Sequence, residues 1–227
     1  MAMAAAQRMR LAFAASAIAL AAAAPARAQD IPGYPSLDDY DPREVAMLPR
    51  YCIHTLLFKE KVPGGANPQE IDRWRSVLGD TFRHMHHYCW GLMKTNRGVL
   101  LARNEQVRIG YLNDSIREFD YVIQRATPEF ILLPEILTKK GENLIRLGRG
   151  PQGIVELERA AEVKPDYWPA YAQLSDYYKE VGERQKAREA LERGLAESPN
   201  TPALTRRLAQ LKGTQESPTT AAKSKAR

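Results

Sequence analysis

The chain has 227 residues, 44% hydrophobic and 26% charged, with a formal charge of +6. That length suffices for one or two ordinary domains, and the balance excludes both a disordered chain and one embedded throughout in lipid. Much of the positive charge sits in a segment expected to be removed. Arg8 and Arg10 precede an apolar run from Leu11 to Ala24, Pro25 breaks it, and Ala26-Arg27-Ala28 gives the small-x-small pattern of a cleavage site. Residues 1–28 are thus expected to be a secretory signal peptide, cut after Ala28. No Cys follows the cut to carry a lipid, and Arg8 and Arg10 are not adjacent, so the twin-Arg signal is not matched. Losing Arg8, Arg10 and Arg27 lowers the formal charge to +3, which weakens any case for nucleic acid. No later apolar run is long enough to cross a membrane. A periplasmic or secreted location is expected.

Residues 29–41 read as an extended lead, punctuated by Pro32, Gly33 and Pro35. Helical character should then run through residues 42–133. Asp41 and Pro42 suit the cap and first turn of a helix over about 43–59, which Pro49 should kink or split. Asn67-Pro68-Gln69-Glu70 is a second helix start, with Gly79 as its end. Asp80 should cap a third helix, from Thr81 to about Thr95. A long helix from about Arg103 to Ala126 follows, with Val107, Tyr111, Ser115, Phe119, Val122 and Ala126 along one face.

From Pro134 the sequence repeats every 34 residues. Leu137, Gly141, Leu144, Gly148, Gly153, Leu157, Ala160 and Pro165 are followed at that spacing by Tyr171, Ser175, Tyr178, Gly182, Ala187, Leu191, Gly194 and Pro199. Small residues at Gly141 and Ser175 suit two helices in close contact, Gly148 and Gly182 suit a turn, and Pro165 and Pro199 end the second helix. These residues resemble the tetratricopeptide repeat, a family of antiparallel helix pairs. Two units, 134–167 and 168–201, carry the likeness. The first departs from the family pattern at Leu137 and Lys140. The resemblance implies an all-α, right-handed solenoid of helical hairpins, with an N-terminal helical extension. Two units are few for a stable stack. His87, Trp90 and Gly91 with the Tyr111–Ala126 face read as a degenerate third, and residues 202–212 as a capping helix with Leu204, Leu208 and Leu211 on one face. Residues 213–227 read as a disordered tail.

The four His and two Cys fall in two windows, Cys52 with His54, and His84, His86 and His87 with Cys89. Three readings compete. An exported chain with two Cys favours a Cys52–Cys89 disulfide, which would stabilise the fold by roughly 3.8 kcal/mol in the chain-entropy account. His84 and His87, three apart on a helix, are alternatively metal ligands, with Cys52 or Cys89 as thiolate suited to zinc or copper. On that reading the chain is a periplasmic metal-binding or redox protein. The third is that the His residues only pack or face water. Nucleotide-binding loops, nucleophile elbows and dinucleotide fingerprints are missing, so neither an enzyme nor a cofactor is expected.

The resemblance further implies that the first helix of each unit lines an inner groove. Glu135, Thr138, Glu142 and Arg146 should do so in the first unit, and Ala172, Asp176 and Lys179 in the second, with Trp168 as an aromatic contact. Grooves of this family take peptide segments, and Glu142 and Asp176 would repel an acidic one. The functional expectation is a scaffold that docks another cell-envelope protein or peptide.

Overall fold

The computed structural model describes residues 40–213. The expected signal peptide, lead residues 29–39 and tail residues 214–227 lie outside the described residues. No strand occurs among the described residues.

The first helix expected from the sequence is three short pieces. They are α1 (Pro42–Ala46), a 3-10 turn (Arg50–His54) and α2 (Phe58–Lys61). Asp41 caps α1 by accepting from the Arg43 N–H at 2.8 Å. Pro49 has no N–H to give and disfavours a helical Leu48, so α1 cannot continue through it. Leu57 then turns at φ +72° before α2. α3 (Pro68–Leu78) begins as expected, with the Asn67 side chain accepting from the Glu70 N–H. The next helix does not start at Thr81 behind an Asp80 cap. A 3-10 turn (Gly79–His84) carries Thr81 and Phe82 into the core, and α4 (Met85–Asn96) follows without a side-chain cap. A π-helical turn (Arg97–Leu101) leads to α5 (Glu105–Ile123), capped by Asn104.

From there the chain is a succession of antiparallel neighbours: α6 (Leu133–Arg146), α7 (Gly150–Val163), α8 (Trp168–Glu180), α9 (Arg184–Glu197) and α10 (Pro202–Gly213). α4 pairs with α5, α6 with α7 and α8 with α9, while α5 meets α6, α7 meets α8 and α9 meets α10. α6 touches α8 and α8 touches α10, so these helices form one row. α4 joins the row through side chains. Tyr88 donates to Glu135 at 2.6 Å and Asn143 to Thr95 Oγ1 at 2.7 Å.

Two features of the repeat set this geometry. Gly148 and Gly182 end α6 and α8 at φ +73° and +82°. At the first, the Arg149 N–H reaches back to Leu144 and the Gly148 N–H to Ile145. The pattern recurs from Glu183 to Tyr178 and from Gly182 to Lys179. This six-to-one closure needs a left-handed residue, which glycine adopts without a side-chain clash. The second feature is backbone approach. A Cβ on Gly141 would lie 2.9 Å from the Gly153 carbonyl oxygen, and one on Gly153 would lie 2.8 Å from that of Gly141. α6 and α7 therefore meet backbone to backbone.

Polar groups lock the front hairpin to the repeats. The Ser115 hydroxyl donates to the Gly91 carbonyl at 2.7 Å, and the buried Asn143 amide donates to Ser115 and Thr95. The Lys140 that departs from the family pattern is a bridge. Its ammonium reaches Asp120 of α5 at 2.6 Å and Glu156 of α7 at 2.7 Å. Burial works against its charge, but those two hydrogen bonds prevail and leave its pKa raised. Trp168 and Tyr177 part company. Tyr177 packs over Gly150 at the junction of the two units, whereas Trp168 is exposed.

These two uses of glycine predict different costs. Nothing lies within 4 Å of a Cβ at Gly148, so Gly148→Ala should lose only the backbone preference, about 1 kcal/mol. Gly141→Leu must force α6 from α7 and should lose about 3 kcal/mol. Urea unfolding of the two variants checks the order.

Candidate functional site

A cleft of about 360 Å³ opens on the α4–α6 side of the row. Its walls come from three places in the chain. Met47 and Pro49 come from the N-terminal arm, Leu92, Thr95 and Asn96 from α4, and Val99 and Leu100 from the π-helical turn. α6 supplies Glu135, Lys139, Glu142 and Arg146 at helical spacing along one face.

Two bolts hold the arm in place. Arg97 and Glu44 form a buried, two-pronged ion pair, Nε to Oε1 and Nη2 to Oε2, both 2.7 Å. It ties α1, and so Met47, to the start of the turn bearing Val99 and Leu100. Cys52 is joined to Cys89 of α4, with both residues fully buried. The arm is otherwise short helical pieces that bury Leu48, Tyr51 and Phe58 in the core.

The charges of the cleft are unequal. Glu142 lies 3.3 Å from both Lys139 and Arg146. Glu135 accepts a hydrogen bond from the buried Tyr88 hydroxyl and forms no ion pair among the described residues. Its charge is felt nearby. Burial first, and then the negative charge of Glu135, push the phenols of Tyr51, Tyr88 and Tyr167 above their ordinary range.

The structure divides the groove residues expected from the sequence. Glu135, Glu142 and Arg146 line the cleft together. Thr138 and Ala172 do not face a partner. Both are 2% exposed, because their short side chains are covered where the helices of the row pack, and the Thr138 hydroxyl donates to the Pro134 carbonyl. Asp176 is exposed but already engaged, for Arg207 of α10 reaches it at 3.1 Å. Trp168 and Lys179 are exposed outside the cleft. Lys139, Leu92, Thr95 and Asn96 were missed, although their spacing on helices already recognised is a usable signal. Met47, Pro49, Val99 and Leu100 carry no such signal, since only tertiary contacts bring them there.

The Cys52–Cys89 bond joins the two His and Cys windows without making a ligand cluster of them. Among the described residues no three His, Cys, Asp or Glu side chains are placed to hold a metal ion. The two sulfurs are bonded to each other rather than present as thiolates. His54 is buried, with Nδ1 donating to the Gly65 carbonyl at 2.9 Å. His87 stacks on Tyr121 at 3.7 Å and meets Glu118 at 2.6 Å, where Lys94 also binds. His84 sits edge-on to Tyr121. His84 and His87 thus both contact the Tyr121 ring.

A tetratricopeptide-repeat family model matches residues 168–211, which span α8, α9 and most of α10. No curated protein is similar enough in sequence to count as a relative. Similar solved structures include the first tetratricopeptide domain of Spaghetti (RPAP3), bound to the HSP90 peptide SRMEEVD. It is 16% identical with a TM-score of 0.41, over 56% of this chain and 97% of that one. The Sgt2 tetratricopeptide domain from Aspergillus fumigatus is 19% identical with a TM-score of 0.42, over 60% of this chain and 90% of that one.

Two outcomes are expected from this geometry. Glu44→Ala removes the two-pronged ion pair from the buried Arg97 guanidinium, which should lower stability by about 1.5–3 kcal/mol, read by chemical unfolding. The second concerns acid. Burial, and next the charge of His87, lower the His86 pKa to about 4. The unfolded chain binds this proton near pH 6.5 and the folded chain does not. Stability from a neutral His86 is therefore complete above about pH 6.5, declines as pH falls to about 4, and is level below, for a total on the order of 3 kcal/mol. His86→Phe should flatten that part of the curve of unfolding free energy against pH. An unchanged slope between wild type and variant would contradict it.

Proposed function

We propose that this chain, a tetratricopeptide-repeat protein, is an exported scaffold and not a catalyst, and that it holds a protein or peptide segment of a cell-envelope partner in the cleft between the N-terminal arm and α6. The observation that carries the reading is the cleft itself. It combines an exposed aliphatic rim, Met47, Val99 and Leu100, with charged side chains set at helical intervals on α6. A peptide segment supplies both kinds of group at comparable spacing, whereas a substrate would need a convergent acid, base or nucleophile. The residues around the cleft offer no such convergence.

Export rests on the Arg8–Ala28 pattern, and a fully buried Cys52–Cys89 link is compatible with an oxidising compartment. No helix among the described residues is long and apolar enough to cross a membrane.

Capture of the native partner from an envelope extract tests the reading. Val99→Asp with Leu100→Asp alters exposed rim residues and should leave the fold intact while reducing capture at least about tenfold. N-terminal sequencing of the protein from its native host should begin at Gln29. Undiminished capture would remove the cleft as the docking site, and an uncut N-terminus would remove the export reading.

A further inference from the structure

We infer that the cleft selects a partner segment presenting a lysine or arginine side chain beside an aliphatic one, with Glu135 holding the cation and Met47, Val99 and Leu100 taking the aliphatic neighbour. This deepens the reading of the cleft as a docking site and rests on it.

The charge pattern carries the inference. Of the two carboxylates in the cleft, Glu142 already has two cations within 3.3 Å. Glu135 has none among the described residues, although it is partly buried. Its contact is one hydrogen bond, from the Tyr88 hydroxyl at 2.6 Å. An ionised carboxylate offers about four acceptor sites, and the Tyr88 hydroxyl uses one of them. Glu135 therefore retains the capacity for a cation. An acidic segment, by contrast, would have to draw Lys139 and Arg146 away from Glu142 and would approach the unneutralised Glu135.

The surroundings fit a long basic side chain better than a bare ion. Leu92, Val99 and Leu100 share the cleft with Glu135. Aliphatic stems of lysine and arginine cover apolar surface while the head reaches a charge. At the mouth, Met47, Val99 and Leu100 are 47%, 49% and 61% exposed, which is apolar surface that a flanking leucine or valine would cover.

The test uses the full chain and three labelled peptides that differ only in the middle of a Leu-X-Leu core, with X as Arg, Gln or Glu, read by fluorescence anisotropy. The Arg peptide should bind at least about tenfold more tightly than the Glu peptide. High salt should narrow the gap. Glu135→Gln, which still accepts from Tyr88, should close most of it. Lys139→Gln, which removes a cation from the cleft, should widen it. Equal binding of Arg and Glu peptides, a gap that survives in Glu135→Gln, or no binding of any peptide at about 1 mM would overturn the inference. Changing Lys223, Lys225 and Arg227 to Gln tests the chain's own basic end as occupant. Tighter peptide binding in that variant would assign the cleft to the chain itself and overturn the partner assignment. If native capture still depends on Val99 and Leu100 while charge selectivity is missing, this inference alone fails. If capture ignores the rim as well, the docking reading fails with it.

Discussion

A helical hairpin leaves one apolar face uncovered, and every larger feature of this chain follows from how that face is covered. The hairpins α6–α7 and α8–α9 cover each other, with Leu157, Leu174 and Ala190 between them. They can do so only because α6 and α7 meet at Gly141 and Gly153, where any side chain would collide with main chain. α10 covers the last open face by burying Leu204 and Leu211. At the front, α4–α5 takes the place of another repeat, and Gly91 lets Phe119 close over it. Each cover is also a support that holds α4, α6, α8 and α10 in one row.

The N-terminal arm is the less regular part of this scheme, and it shapes the cleft. Its helices are too short to be stable alone. A buried ion pair and a cross-link to α4 add to the burial of Leu48, Tyr51 and Phe58. A buried ion pair often contributes little net stability compared with apolar residues of similar size. Its value here is positional, because Glu44 can satisfy Arg97 in only one arrangement of α1 against the turn. That arrangement sets Met47 across from Leu100 and leaves a cleft between the arm and α6.

Much of the fold was legible in the residues. A 34-residue period with glycine at the helix ends and proline after each pair admits few architectures, and both turn glycines lie at positive φ. Less visible were the 3-10 turns, since the entry of Thr81 and Phe82 into the core is decided by what they pack against, not by local preference. The candidate site was legible along α6 because helix register sets Glu135, Glu142 and Arg146 on one face. It was misleading at Thr138 and Ala172, where the same register points into a covered junction, and at Asp176, whose charge Arg207 neutralises from another helix. The arm and the π-helical turn left no periodic trace, because residues so far apart in sequence share a surface only after folding. Lys140 illustrates the converse. It reads as a flaw in the repeat, and it is a bridge between three helices.

Hydrogen exchange on the full chain, alone and with a captured protein partner, tests the central claim most directly. The account predicts that the partner slows exchange in Leu92–Leu101 and Glu135–Arg146, and in the arm around Met47 and Tyr51. Protection confined to α7 and α9, with those segments unchanged, would place the partner on the opposite side of the stack and contradict the account.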